Sequence, residues 1–293
     1  MPRTKKSTAR SSKRLVRLES SAIRKLHDAA SACRRPAMLF SAGKDSCVML
    51  RLALKAFAPS APPFPLLSVD TTWKFPETYP FRDRVAGVAG MELIVQVNRE
   101  GARQGIGPFT HGAAEHIRVM KSNALQQALE KYGFDALIDG ARGDEKRVRN
   151  RARTDLSSFQ ASARGVTDPG EGPMRVFPLA DWTELDVWRY IAFERVEVSE
   201  LYFAADRPVV LRNGLLIVRA DERMALANSE EIQVLRVRFR SLGCWPLTGA
   251  VESEAQDASA VLSELRRERS SERGGRMQDL ITRESSLTQS GYF

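Results

Sequence analysis

An apolar run at residues 37–40 stops at Ser41-Ala42-Gly43, and a helical pattern of apolar residues (Val48, Met49, Leu52, Ala53, Ala56) follows from Asp45. A strand that passes into a helix through a turn of small residues opens a strand-helix-strand unit. The unit recurs along this chain. Residues 65–69 read as a second strand ending at Asp70, 77–89 as a helix closed by Gly90, and 92–97 as a third strand. A glycine-containing loop over 98–112 leads to a helix at 113–131, with Gly133 past its end, and a fourth strand at 134–138 runs into Asp139-Gly140. Strands of about five residues that alternate with longer helices require crossover connections, and so a parallel sheet covered on both faces. The expected class is α/β, a doubly wound parallel sheet.

The flanks are less regular. Residues 15–32 carry apolar side chains at helical spacing (Leu18, Ala22, Ile23, Leu26, Ala29, Ala30) and predict an amphipathic helix. Residues 1–17 hold seven of the chain's 45 bases and none of its 36 acids, so the net charge of +9 sits mostly in this segment. It reads as a solvated, disordered basic tail. Residues 157–173, rich in Ser, Gly and Pro, read as an exposed loop. A strand at 174–179 and a helix at 181–192, with Thr183 as its cap three residues before Asp186, complete the alternation, which fades after about residue 196. The expected division is a tail at 1–17, a nucleotide-binding α/β domain at 18–195 and a smaller C-terminal region at 196–293.

Several function classes drop out. No uncharged run approaches the roughly 20 apolar residues of a membrane span, and the basic tail lacks the apolar segment of a secretory signal. Cys33, Cys47 and Cys244 form no C-x-x-C pair, and His27, His111 and His116 are scattered, so a reducing, cytoplasmic setting without a structural metal is expected. Outside the tail the charge is nearly balanced, which argues against nucleic-acid binding.

Ser41-Ala-Gly-Lys-Asp-Ser46 falls where the first strand feeds the first long helix, at the carboxyl edge where open parallel sheets bind ligands. Glycine admits close backbone approach, the turn's amides and the helix N-terminus favour an anion, and Lys44 adds a full charge. Ser41 and Ser46 can donate to phosphate oxygens. Asp45 would repel bare phosphate, which gives it a capping or magnesium-linked role. The common nucleotide loop is excluded, because it would need Gly at position 38 and Ser or Thr at 45.

The six residues resemble the S-x-G-x-D-S pyrophosphate loop (PP-loop) of the ATP pyrophosphatases. Further segments narrow the likeness: Phe64-Pro-Leu-Leu-Ser-Val-Asp-Thr-Thr-Trp-Lys-Phe75, Pro108-Phe-Thr-His-Gly112, Tyr132-Gly-Phe-Asp135, Trp182-Thr-Glu184, and the sixteen residues from Arg238 to Ser253 containing Leu-Gly-Cys-Trp-Pro-Leu-Thr-Gly. Together they resemble the small, catalytic subunit of the heterodimeric bacterial sulfate adenylyltransferase, from about Leu18 to the terminal Gly291-Tyr-Phe293. The resemblance implies transfer of AMP from ATP to sulfate, with magnesium and a GTPase large subunit as partner. It implies that residues 41–46 hold the pyrophosphate portion and that Asp70 and Thr71 sit beside the nucleotide. Gly140-Ala-Arg-Gly-Asp-Glu145, with the bases at 146, 147, 149, 151 and 153 behind it, supplies a second cationic device. Arg142 is its first choice for the α-phosphate or the sulfate, because a guanidinium fork matches such oxygens in pairs.

His111 and His116 read as structural, since adenylating sulfate needs no proton abstraction, and Cys244 reads as core packing. The chain departs from the family's pattern at Gly143, where an arginine is usual, and in the 154–174 region. The alternatives are a phosphosulfate reductase, which needs a nucleophilic cysteine beyond Cys244, a transfer-RNA-modifying pyrophosphatase, and a repurposed paralogue that adenylates another substrate or is a non-catalytic subunit.

Overall fold

A computed structural model describes residues 3–144, 173–228 and 230–267. Five parallel strands lie side by side in the order β3-β2-β1-β4-β5: β1 (Pro36–Leu39), β2 (Leu66–Val69), β3 (Leu93–Gln96), β4 (Ala136–Ile138) and β5 (Met174–Val176). Met38 stands level with Leu66 on one side and Ile138 on the other. Alternate residues face opposite sides of the sheet. Met38, Leu66 and Ile138 enter the core built with α1 (Arg3–Ala32) and α2 (Lys44–Phe57), while Ala37, Leu67 and Leu137 pack against Ala128 and Phe134 on the other side. Because the chain runs outward from β1 to β3 and returns to place β4 on the far side of β1, the winding reverses between β1 and β4. That reversal opens a crevice at the carboxyl ends of those two strands.

The strands and α3 (Thr78–Val88) fall where the sequence places them, and three other elements differ. The loop over 98–112 contains α4 (Arg99–Arg103), capped by Asn98 Oδ1, which accepts from Gly101 N at 3.1 Å. The single helix expected at 113–131 is three pieces: α5 (Gly112–Ile117), a π-helical turn (Arg118–Asn123) and α6 (Ala124–Tyr132). Asn98 Nδ2 donates to the Val119 carbonyl at 3.0 Å inside that turn, a side chain engaging the backbone ladder. The C-terminal region forms a second, antiparallel sheet of β6 (Ala205–Arg212), β7 (Leu215–Val218), β8 (Gln233–Arg238) and β9 (Val251–Glu252), ordered β7-β6-β8-β9. Its core includes Val209, Ile217, Phe239 and Trp245 together with Phe75, which arrives from the loop after β2. No helix among the described residues is long and apolar enough to cross a membrane.

The basic segment expected as a tail at 1–17 carries the start of α1. Its backbone is helical from Arg3, no Gly or Pro interrupts it, and Leu15 is buried in the stripe that continues through Leu18, Ala22, Leu26 and Ala29. Arg14 donates from Nε (2.9 Å) and Nη2 (2.7 Å) to Asp186 on α7 (Glu184–Glu194). Asp186 also closes a capping box with Thr183, as the sequence predicts. Burial opposes the charge on Asp186, but Arg14 and Thr183 outweigh it and hold the carboxyl below its ordinary range. A carboxyl held low stabilises the fold above its unfolded pKa, and that stability is lost as pH falls through the folded value. Asp186→Ala is therefore expected to cost about 1–2 kcal/mol at neutral pH, the value of a helix capping box plus an ion pair whose arginine is 37% exposed. Urea unfolding at neutral pH and in acid measures this, and the gap between wild type and variant should shrink in acid.

Candidate active site

Between β1 and α2 the chain turns within residues 40–43. Ala42 takes a left-handed conformation (φ 59°), unusual for alanine, and Gly43 is the extended N-cap residue of α2. A Cβ on Gly43 would lie 3.3 Å from Ser41 Oγ and 3.4 Å from Tyr202 Oη, so glycine keeps the turn close to the protein behind it. The first turn of a helix has donors with no partner inside the helix. Gly43 N donates to Ser41 Oγ (3.4 Å) and Lys44 N to Tyr202 Oη (2.8 Å), which leaves the amides of Asp45 and Ser46 as the first-turn donors without a partner among the described residues. The Ser46 hydroxyl donates to Gly43 O at 2.8 Å. Asp45 is not the cap: Gly43 holds that position and no side chain bonds there.

Asp45 instead bridges the crevice. Its carboxylate is hydrogen-bonded to Nη1 of Arg142, in the loop after β4, and lies 3.5 Å from Lys44 Nζ. Arg142 Nε reaches Asp144 at 3.1 Å, Asp144 accepts from the Glu184 amide (3.0 Å), and Glu184 pairs with Arg240 Nη2 (2.9 Å). The Arg240 carbonyl accepts from Lys44 Nζ at 2.9 Å and closes the circuit. Three cations and three acids from four segments thus meet in a ring, with Lys44 and Arg142 each only 1% exposed. Sequence reasoning names Lys44, Asp45 and Arg142 here, and misses Asp144, Glu184, Arg240 and Tyr202. Glu184 and Arg240 stand inside the segments that carry the family likeness and Asp144 inside the Gly140–Glu145 run, yet their roles depend on contacts across the fold.

Asp70 and Thr71 follow β2 at the same sheet edge. Asp70 Oδ1 accepts from Thr72 N at 2.8 Å and is 3.5 Å from the Tyr79 hydroxyl, so this carboxylate shapes its own loop. It holds Thr72 at φ 61°, an outlier for a β-branched residue. Arg223 adds a bond to the Thr72 carbonyl (2.8 Å) and lies over the Trp73 ring at 4.1 Å. Strained backbone gathers at functional sites, and Ala42 and Thr72 occupy neighbouring strand ends. Gly140 packs on the start of α2, where a Cβ would be 3.7 Å from the Asp45 carbonyl carbon. At Gly143 a Cβ would stand 2.6 Å from the Ala180 carbonyl oxygen, so a side chain there requires the backbone to move. The bases at 146–153 and residues 157–172 of the expected loop lie outside the described residues.

Chemically, the crevice offers charge and hydrogen bonds. Cys47, just past the loop, is buried, which pushes its thiol up and leaves it a poor nucleophile. No group of three or more His, Cys, Asp and Glu among the described residues could hold a metal ion as a protein cage. His111 is exposed with Nδ1 2.8 Å from Thr110 Oγ1. Cys244 is not a core residue: it is half-buried, with Sγ 3.3 Å from Thr71 Oγ1.

The phosphoadenosine phosphosulfate reductase domain model matches residues 35–250. A "sulfate adenylyltransferase subunit 2" from Rhodopseudomonas palustris is 49% identical over 97% of this chain and 92% of its own length. A protein of the same name from Trichlorobacter lovleyi is 46% identical over 95% of this chain and 98% of its own. The chain belongs to the sulfate adenylyltransferase subunit 2 family. Among solved structures, a phosphoadenylyl-sulfate reductase from Candida auris in a phosphate complex covers 64% of the chain, and the chain covers 88% of it, at 20% identity and a TM-score of 0.48. In this member of the sulfate adenylyltransferase subunit 2 family, the loop at 41–46 and the Arg142 loop face each other across the winding reversal. The subunit number in the relatives' names implies a partner chain.

Proposed function

We propose that the chain transfers AMP from ATP to sulfate, giving adenosine 5'-phosphosulfate and pyrophosphate, in the cytoplasm and together with a GTPase subunit. The observation that carries this reading is the ion ring at the β1/β4 crevice, which sets Lys44 and Arg142 beside the first-turn amides of α2. Sulfate is a weak nucleophile, so displacement at the α-phosphorus depends on alignment and on a stabilised leaving group rather than on a covalent enzyme intermediate. The amides of Asp45 and Ser46, the hydroxyls of Ser41 and Ser46, and Lys44 would hold the pyrophosphate portion. Ser46 exchanges its bond to the Gly43 carbonyl for a phosphate oxygen. Arg142 would turn its fork from Asp45 to the α-phosphate or the sulfate. Gly140 lets the β4 loop lie against α2, and Asp70 and Thr71 border the nucleotide.

Asp45 suits a magnesium ion that is held mainly by phosphate and water: it offers one carboxylate, about one-fifth exposed, at the mouth of the ring. When bound, the ion neutralises charge on the departing pyrophosphate. The region after residue 196 is the proposed partner contact. The test is pyrophosphate release from ATP with sulfate, selenate, molybdate or no anion, each with and without a cognate GTPase. Release that requires both magnesium and sulfate is expected. Release without an anion, or none with any anion, would replace this reading with that of a repurposed paralogue.

A further inference from the structure

Residues 199–202 lead into the second sheet and are anchored in both cores. Ser199 Oγ accepts from Leu201 N at 3.3 Å and the Ser199 carbonyl from Tyr202 N at 3.1 Å, which closes a 3-10 turn (Glu200–Tyr202). Leu201 enters the core of the second sheet, where its carbonyl accepts from Phe239 N at 2.9 Å. Tyr202 enters the core of the first, and its ring meets that of Trp188 on α7 edge-on at 5.7 Å. The buried phenol ends against the loop at 41–46: its oxygen accepts from Lys44 N at 2.8 Å, and its ring centroid is 5.7 Å from the Lys44 ammonium. Burial pushes the phenol up, more than nearby Lys44 pulls it down, so it stays neutral. Its own proton has no hydrogen-bond acceptor among the described residues. A buried hydroxyl whose donor goes unused adds little to stability, because the lost hydration of that proton offsets the one bond the oxygen makes. Phenylalanine would pack as well. What the oxygen adds is a fixed direction for the first amide of α2.

We propose that Tyr202 is a positioning residue for the leaving pyrophosphate: through the Lys44 amide it sets the first turn of α2, and through its ring it sets the height of the Lys44 ammonium. The inference rests on the adenylation reading and adds to it a residue that touches no substrate. Developing charge on the leaving group is stabilised best by amides and an ammonium that are already aimed at it, and a misplacement of about 1 Å in such a site costs as much as 100-fold. The Arg240 carbonyl accepts from Lys44 Nζ at 2.9 Å, so the second sheet and its entry segment hold Lys44 at the backbone and at the side-chain tip. Phe239 joins the two contacts, since its amide bonds to Leu201 and the next residue holds the ammonium. The region after residue 196 thus acts on the chemistry through position.

The experiment compares the full-length wild type with Tyr202→Phe, which keeps the ring, and Tyr202→Leu, which removes it. Tyr202→Phe should move the urea midpoint little, lower kcat for sulfate-dependent pyrophosphate release about tenfold, the worth of one neutral hydrogen bond, and leave KM for ATP within about twofold. Binding of magnesium pyrophosphate, read by calorimetry, should weaken by a similar factor, and the Lys44 amide, followed by nuclear magnetic resonance, should exchange its proton about tenfold faster. Tyr202→Leu should lower kcat further, since the ring beneath the ammonium goes too. A Tyr202→Phe urea midpoint as low as that of Tyr202→Leu, a loss confined to KM, or kcat and pyrophosphate affinity both within about twofold of wild type would overturn the proposal. Wild-type protein that binds pyrophosphate but turns over no ATP with sulfate removes the adenylation reading alone, and the binding and exchange measurements then decide on Tyr202. Wild type that binds no pyrophosphate removes both.

Discussion

Arg142→Ala is expected to lower sulfate-dependent pyrophosphate release by about 100-fold or more, the usual consequence of removing one preorganised donor from a developing negative charge. The side chain is 1% exposed and holds Asp45 and Asp144 at once, so its loss also frees two acids facing the crevice. Removing one member of a buried ion pair costs about 3–5 kcal/mol, and because both carboxylates keep some access to water the expected loss here is nearer 2 kcal/mol. Arg142→Lys separates the two effects. It restores charge without the fork, so stability should recover more than activity does. Steady-state kinetics beside urea unfolding of the three proteins reads both quantities. Activity of Arg142→Ala within twofold of wild type would remove the residue from the site.

Lys44→Ala is the second large effect. The ammonium donates to the Arg240 carbonyl, lies near Asp45 and is packed 5.7 Å above the Tyr202 ring, so it is held in place before any substrate arrives. Its loss removes a positive charge from beside the pyrophosphate position and opens the ring between the two sheets. The expected result is a fall of about 100-fold in kcat, with a smaller rise in KM for ATP, because the charge matters most as the leaving group departs. Lys44→Arg should not rescue it, since a longer, branched head has no room at 1% exposure. A change confined to KM would assign Lys44 to uniform binding of ATP rather than to the chemical step.

Local signals made the parallel sheet legible. Apolar runs such as 37–40 and 65–69 end at a turn or at Asp70, and the Thr183–Asp186 cap is written within four residues. The antiparallel sheet was not read from the sequence, where the alternation only fades after about residue 196, although Asn213-Gly214, with φ values of 52° and 72°, is a residue pair that favours a tight hairpin. The break in the helix at 113–131 was not legible, because it depends on Asn98 reaching the Val119 carbonyl from another element. The same holds at the site. Lys44, Asp45 and Arg142 stand out by motif and strand-end position, whereas Arg240 and Glu184 meet them only once the second sheet and α7 are in place. The early helix at Arg3 was missed because Asp186, the counter-charge to Arg14, lies far along the sequence.

The most direct measurement is a crystal structure of the protein with magnesium and a non-hydrolysable ATP analogue. The β- and γ-phosphate oxygens should lie about 3 Å from the amides of Asp45 and Ser46, with the Arg142 fork turned from Asp45 toward the α-phosphate. A triphosphate bound away from residues 41–46, with the Asp45–Arg142 pair intact, would contradict that placement.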